Sequence, residues 1–300
     1  YIKEALLEPC DFICNKLGYT ELNAVGYCIG GTLLSTAAAY MASRGIKQIR
    51  SLTFIATLLD FSDPGDIGLF INEESLAAIE QESLSKGYFD GKYLSYSFSL
   101  LRANDLIWSF FVNNYLLGKR PLPFDILYWN ADTTNMPAKM HSQYLRWMYL
   151  HNSLVKPGKI HLDKMPLDVT HLDTPTFFIS TQKDHIAPWQ TTYQGFRLMK
   201  GKKHFLLGGS GHIAGIIIPP GTEKYGYYCH AGCPKKPEDW LAKATHHAGS
   251  WWPVWLKWLK RESGRLVDAP DFKNLPLKSI ADAPGSYVHM KSQKEDAGSL

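Results

Sequence analysis

The feature that most constrains this chain is six residues long. Gly26-Tyr27-Cys28-Ile29-Gly30-Gly31 closes a short apolar run, Leu22 to Tyr27, and leads into an Ala-rich helical stretch, roughly Gly31 to Ser43. An apolar run bounded by turn formers reads as a buried strand. Passing directly from that strand into a helix places one reactive side chain on a sharp bend. A second apolar run, Ile49 to Thr57, completes a strand–helix–strand unit. Such a unit closes right-handed onto a parallel sheet, so the chain is expected to be α/β.

The bend has the form of a G-x-S-x-G nucleophile elbow with Cys in place of Ser. A nucleophile at the tip of a tight turn needs strained backbone angles and small neighbours, and Gly26 and Gly30 are expected to supply the room. The helix N-terminus behind Cys28 favours a thiolate, and the Ile29 N–H is the expected oxyanion donor. The alternatives are a small buried Cys on a glycine-rich turn, or a phosphate loop. The phosphate fingerprint G-x-G-x-x-G does not fit Gly26-Tyr27-Cys28.

A nucleophile needs a base, and the base an orienting acid. Behind an elbow of this type they follow in the order nucleophile, acid, base. The strand Thr174–Thr181 runs into Gln182-Lys183-Asp184-His185, and the strand Lys203–Leu207 runs into Gly208-Gly209-Ser210-Gly211-His212. Cys28, Asp184 and His212 thus follow three strands in the required order, at the carboxyl ends where open α/β sheets assemble their sites. His185 competes with His212 as base. A residue adjacent to Asp184 cannot easily turn its ring back onto that carboxylate, so His212 is preferred.

Between these blocks the texture changes. From 60 to 167 helical patterns dominate, over Glu73–Ser85, Ser95–Arg102, Leu106–Leu117 and Ala138–His151. Fifteen of the sixty-two residues from 88 to 149 are aromatic, against 13% for the whole chain. The fold class expected is an α/β-hydrolase-like parallel sheet flanked by helices, residues 1–59 and 168–300, with a helical cap inserted over 60–167. Within the insertion Leu100, Leu101, Leu106, Ile107, Phe110, Phe111 and Leu116 read first as core, and next as a lid or dimer contact.

Other classes are disfavoured. A net charge of +4 without a dense Lys/Arg stripe does not suggest nucleic-acid binding. Five Cys is an odd number, which argues against a disulfide framework and for a reducing compartment. No run of eighteen apolar residues indicates a membrane span. Cys229-His230-x-x-Cys233 with His246 and His247 superficially suggests zinc, but the spacing is C-x3-C without a second Cys pair, and no metal is expected. The chain opens at Tyr1 inside a helical pattern, so further strands, and a second oxyanion donor, are expected upstream of it.

Four motifs in order, Gly26-Tyr27-Cys28-Ile29-Gly30-Gly31, Asp184-His185-Ile186-Ala187-Pro188-Trp189, Ser210-Gly211-His212-Ile213-Ala214-Gly215 and Gly249-Ser250-Trp251-Trp252-Pro253, resemble the catalytic domain of polyhydroxyalkanoate synthases. The first looks most like the class I form. The resemblance implies Cys28 as nucleophile, His212 as general base and Asp184 as triad acid. It also implies an (R)-3-hydroxyacyl-CoA substrate, a growing polyester chain and a cap over the site. A homodimer at the surface of cytoplasmic granules is implied in the same way. No cofactor is implied, because CoA enters with the substrate and leaves. A Cys-dependent ester or thioester hydrolase, and a non-catalytic scaffold of the same fold, are the alternatives.

Overall fold

The computed structural model describes residues 1–120, 132–269, 271 and 277–290. The chain divides into two compact units. The first comprises Tyr1–Ile71 and Leu145–Ala269; the second comprises Asn72–Tyr144 with the described residues of 270–300.

The first unit is built on a six-stranded sheet: β1 (Leu22–Tyr27), β2 (Ile49–Ile55), β3 (Thr176–Thr181), β4 (Lys203–Gly208), β5 (Tyr227–Cys229) and β6 (Thr245–His247). Spatial order follows chain order. The pairs β1–β2, β2–β3 and β3–β4 are parallel, as the strand–helix rhythm predicts. The pairs β4–β5 and β5–β6 are antiparallel additions that the sequence does not announce. Helices α1 (Glu8–Leu17), α2 (Ile29–Ser43), α3 (Trp189–Leu198), α4 (Pro237–Lys243) and α5 (Trp252–Glu262) belong to the same unit.

Burial explains the strands. All six residues of β3 are buried, as a central strand covered on both faces requires. Period-two alternation sends Phe177 and Ile179 into one layer with Leu206, Ile216, Tyr227, Trp251 and Trp258. It sends Phe178 into the other layer, against Phe54 at 4.7 Å and Phe196 at 5.6 Å between ring centroids. Burying each such ring contributes about 2–3 kcal/mol.

The second unit holds a helix over Glu73–Lys86, capped by the Asn72 side chain accepting from the Ser75 N–H, and ended by left-handed Gly87. A helix over Gly91–Leu101, π-helical turns over Asn104–Trp108 and Phe111–Leu116, and a helix over Ala138–Tyr144 follow. The helical unit is therefore narrower than 60–167. Its flanks pack within the first unit: the Asn152 amide donates to Asp60 at 2.8 Å, and Phe61 lies edge-on to Tyr149. The apolar residues read as core are largely not core. Leu100, Phe110, Phe111 and Leu116 are exposed, while Leu101 and Ile107 are half-buried. Leu106 lies outside the described side chains. The local pattern of apolar residues marks a helix face without saying whether anything covers it.

Candidate active site

The elbow forms as the glycines require. Cys28 sits between β1 and α2 with φ 53° and ψ −124°, a conformation that non-glycine residues rarely adopt. Its N–H donates to the Ile55 carbonyl at 2.9 Å, which pins the turn to β2. A Cβ at Gly26 would stand 2.4 Å from the Gly31 Cα, backbone against backbone. Gly26→Ala is therefore expected to destabilise the protein by about 3 kcal/mol or more, read from the urea unfolding midpoint.

The second indispensable glycine is Gly31, and the expectation for Gly30 is corrected. A Cβ at Gly30 meets nothing within 4 Å outside its own helix, whereas one at Gly31 would strike the Thr57 side chain at 2.1 Å. Thr57 is fully buried, with its hydroxyl 3.0 Å from the Ile55 carbonyl and 3.3 Å from that of Cys28. This support was not legible in the motif. Only the packing of α2 against the residues after β2 shows which glycine is crowded.

Asp184 follows β3. Its Oδ1 accepts the N–H groups of Ile186 and Ala187, each at 2.9 Å, and its side chain is fully buried. Those bonds leave Oδ2 facing the loop after β4, where it meets His212 Nδ1 at 2.7 Å. The two loops are also joined through their backbones, with Gln182 N–H on the Gly208 carbonyl and Lys183 N–H on that of Ser210. The imidazole at Oδ2 is thus that of His212, from the next strand end.

His212 answers to its burial and to two groups. Burial pushes its imidazole down, but the hydrogen bond to Asp184 and the neighbouring Cys28 thiol, with their charges, outweigh it and raise the pKa to about 10. With Nδ1 on the carboxylate, Nε2 is the nitrogen left for the thiol. The structure therefore brings Cys28, Asp184 and His212 together. Ile29 is the first residue of α2, where N–H groups have no intrahelical partner, so its N–H is available beside Cys28.

Tyr27 was missed by sequence reasoning. Its ring stacks on that of His212, 5.2 Å between centroids at 21°, and its hydroxyl donates to the His212 carbonyl at 2.8 Å. One residue thus ties the strand of the nucleophile to the loop of the base across 185 positions. Tyr27→Leu loses the stack and the hydrogen bond and is expected to lower kcat about tenfold or more, with Tyr27→Phe milder. Steady-state turnover measures both.

Cys229 on β5 and His247 on β6 are diagonal neighbours across the pair, with Sγ 3.2 Å from Nε2. Among the described residues no group of three or more His, Cys, Asp or Glu is placed to hold a metal ion.

Residues 1–217 match the family described as alpha/beta hydrolase fold. The chain is 45% identical over 293 residues to a poly(3-hydroxyalkanoate) polymerase of Methylorubrum extorquens, covering 97% of this chain and 48% of that protein. It is 40% identical over 299 residues to the poly(3-hydroxyalkanoate) polymerase subunit PhaC of Cupriavidus necator, covering 97% and 51% respectively. Poly(3-hydroxyalkanoate) polymerase 1 of Ectopseudomonas oleovorans is 36% identical over 287 residues, covering 95% and 51%. The chain spans about half the length of the curated relatives it matches. The resemblance carried by the four motifs thus extends over nearly all of its residues. Given the mostly parallel sheet, the elbow at the end of β1 and the match over residues 1–217, the chain belongs to the alpha/beta hydrolase fold family.

Proposed function

We propose that this protein is an acyltransferase that polymerises (R)-3-hydroxyacyl-CoA, 3-hydroxybutyryl-CoA in particular, into a polyester with release of CoA. The observation that carries the reading is the nature of the triad: a Cys on the elbow, beside a His212 that is hydrogen-bonded to a buried Asp184. Similarity to poly(3-hydroxyalkanoate) polymerases supports the substrate class.

His212 takes the proton of the Cys28 thiol, and the thiolate attacks the thioester carbonyl. The oxyanion that develops is met by the Ile29 N–H. Collapse expels CoA, which leaves as the thiol with the proton held on His212, and the acyl group remains on Cys28 as a thioester. One thioester replaces another, so the step is nearly isoenergetic and the acyl-enzyme can wait. His212 then removes the proton of the incoming 3-hydroxyl, which attacks that thioester. An ester forms and Cys28 is freed. Asp184 holds the imidazole in one orientation throughout. No step requires a cofactor.

On the resemblance to these polymerases we read the protein as a homodimer working at the surface of cytoplasmic polyester granules. We read the helical unit as its cap. Among the described residues no helix is long and apolar enough to cross a membrane.

The test is purified protein with (R)-3-hydroxybutyryl-CoA, following thiol release and product together. CoA release with polymer is expected. Free hydroxy acid without polymer would instead identify a hydrolase, and no CoA release at all would identify a scaffold.

A further inference from the structure

The motif Gly249-Ser250-Trp251-Trp252-Pro253 has no part in the chemistry above, yet its side chains converge on the loop that carries the base. Trp251 and Trp252 both donate their indole N–H to one carbonyl, that of Ile216, at 3.1 and 2.9 Å. Ser250 donates its hydroxyl to the Ile218 carbonyl at 2.5 Å and accepts the Trp252 N–H at 3.1 Å. The Ile218 N–H also donates to this carbonyl, at 3.0 Å, but that bond lies within the loop; the two indoles are what tie the carbonyl to the segment beyond β6. Three side-chain donors from one short segment thus hold two carbonyls within six residues of His212.

The loop between β4 and β5 needs such support. Gly211 to Ile217 winds tightly, with Gly215 N–H on the Gly211 carbonyl and Ile216 and Ile217 N–H on that of Ile213. Ile216 and Ile218 are buried, so an unpartnered carbonyl there would lack water as a substitute. The Ile216 side chain packs in the same cluster as Trp251, Phe177, Leu206 and Tyr227, so carbonyl and side chain are both fixed against the sheet.

We propose that Trp251 and Trp252 are positioning residues for the reaction: their shared hydrogen bonds to the Ile216 carbonyl set where His212 stands relative to Asp184 and Cys28. This rests on His212 being the general base. The two indoles are mutually redundant donors, which makes a specific quantitative claim. Either can be lost at small cost, because the other still ties the Ile216 carbonyl to the 250–252 segment. Losing both frees the loop, and the effect exceeds the product of the single effects.

The experiment compares Trp251→Phe, Trp252→Phe and the double variant with wild type, in kcat and KM for CoA release and in the pH dependence of Cys28 alkylation by iodoacetamide without substrate. Trp258→Phe serves as control. Trp258 is equally buried in the same cluster, so its loss disturbs the core without touching the loop carbonyls. Each single variant is expected to lose at most about fivefold in kcat. The double variant is expected to lose about a hundredfold with KM unchanged, and its alkylation profile to move toward that of His212→Gln. Trp258→Phe is expected to lower the unfolding midpoint while leaving kcat and the profile in place. A folded double variant with wild-type kcat and profile, or one no different from Trp258→Phe, would overturn the proposal. A His212→Gln variant with an unchanged alkylation profile would overturn the assignment of the base instead.

Discussion

Cys28→Ala is expected to eliminate CoA release, by about 10,000-fold or more, while the protein stays folded. On the proposed mechanism the chemistry begins with a sulfur nucleophile, and the site is arranged around that atom. The residue sits at φ 53° between crowded glycines, with His212 beside it. Alanine is smaller than cysteine and meets the same backbone strain, so the unfolding midpoint should move little, within about 1 kcal/mol. Cys28→Ser separates the nucleophile's identity from its position. An oxygen at the same point would form an ester, from which the acyl group passes less readily to the next hydroxyl than from a thioester. Turnover should stay at trace level while binding of the acyl-CoA persists. Side-by-side CoA release and urea unfolding check both expectations.

The second large effect belongs to Asp184. Asp184→Asn keeps the shape of the side chain but presents an amide where His212 Nδ1 now finds a carboxylate oxygen at 2.7 Å. The carboxylate is fully buried and held by two backbone N–H groups, so the amide cannot swing away to relieve the mismatch. The imidazole is left in the wrong tautomer, a change expected to cost about 1,000- to 10,000-fold in kcat. The same substitution changes the pH dependence of stability. His212 is raised from 6.5 to about 10 in the folded protein. Its contribution is fully present below about pH 6.5 and is lost as pH rises through about 10. The stability gap between wild type and Asp184→Asn should therefore narrow from pH 6 to pH 10, measured by urea unfolding at each pH.

The elbow was legible because its chemistry is local: strand, glycine, nucleophile and helix lie within twenty-two residues, 22–43. Asp184 and His212 were legible because a parallel sheet brings successive strand ends to one edge, so chain order becomes spatial convergence. Contacts between distant segments were not. Tyr27 meets His212 across 185 residues, and Trp251 and Trp252 reach Ile216 across 35 and 36. No periodicity encodes either. Gly31 rather than Gly30 is crowded because Thr57 lies against α2, a fact of tertiary packing. Strands β5 and β6 escaped notice because each has three residues, too few for alternation to register. The compact helical unit over Asn72–Tyr144 lies inside the expected 60–167, and helical texture continues past it through the π-helical turn Leu145–Leu150, which belongs to the first unit.

The central claim is that the acyl group rides on Cys28, and one measurement tests it directly. Butyryl-CoA carries the thioester but lacks the 3-hydroxyl, so it can acylate the enzyme and cannot supply the next nucleophile. Mixed with the protein, quenched in acid and analysed by intact and peptide mass spectrometry, it should leave one butyryl group on the peptide containing Cys28. Cys28→Ala should carry none. A butyryl group on any other residue, or CoA release from the wild type with no adduct at all, would contradict the account.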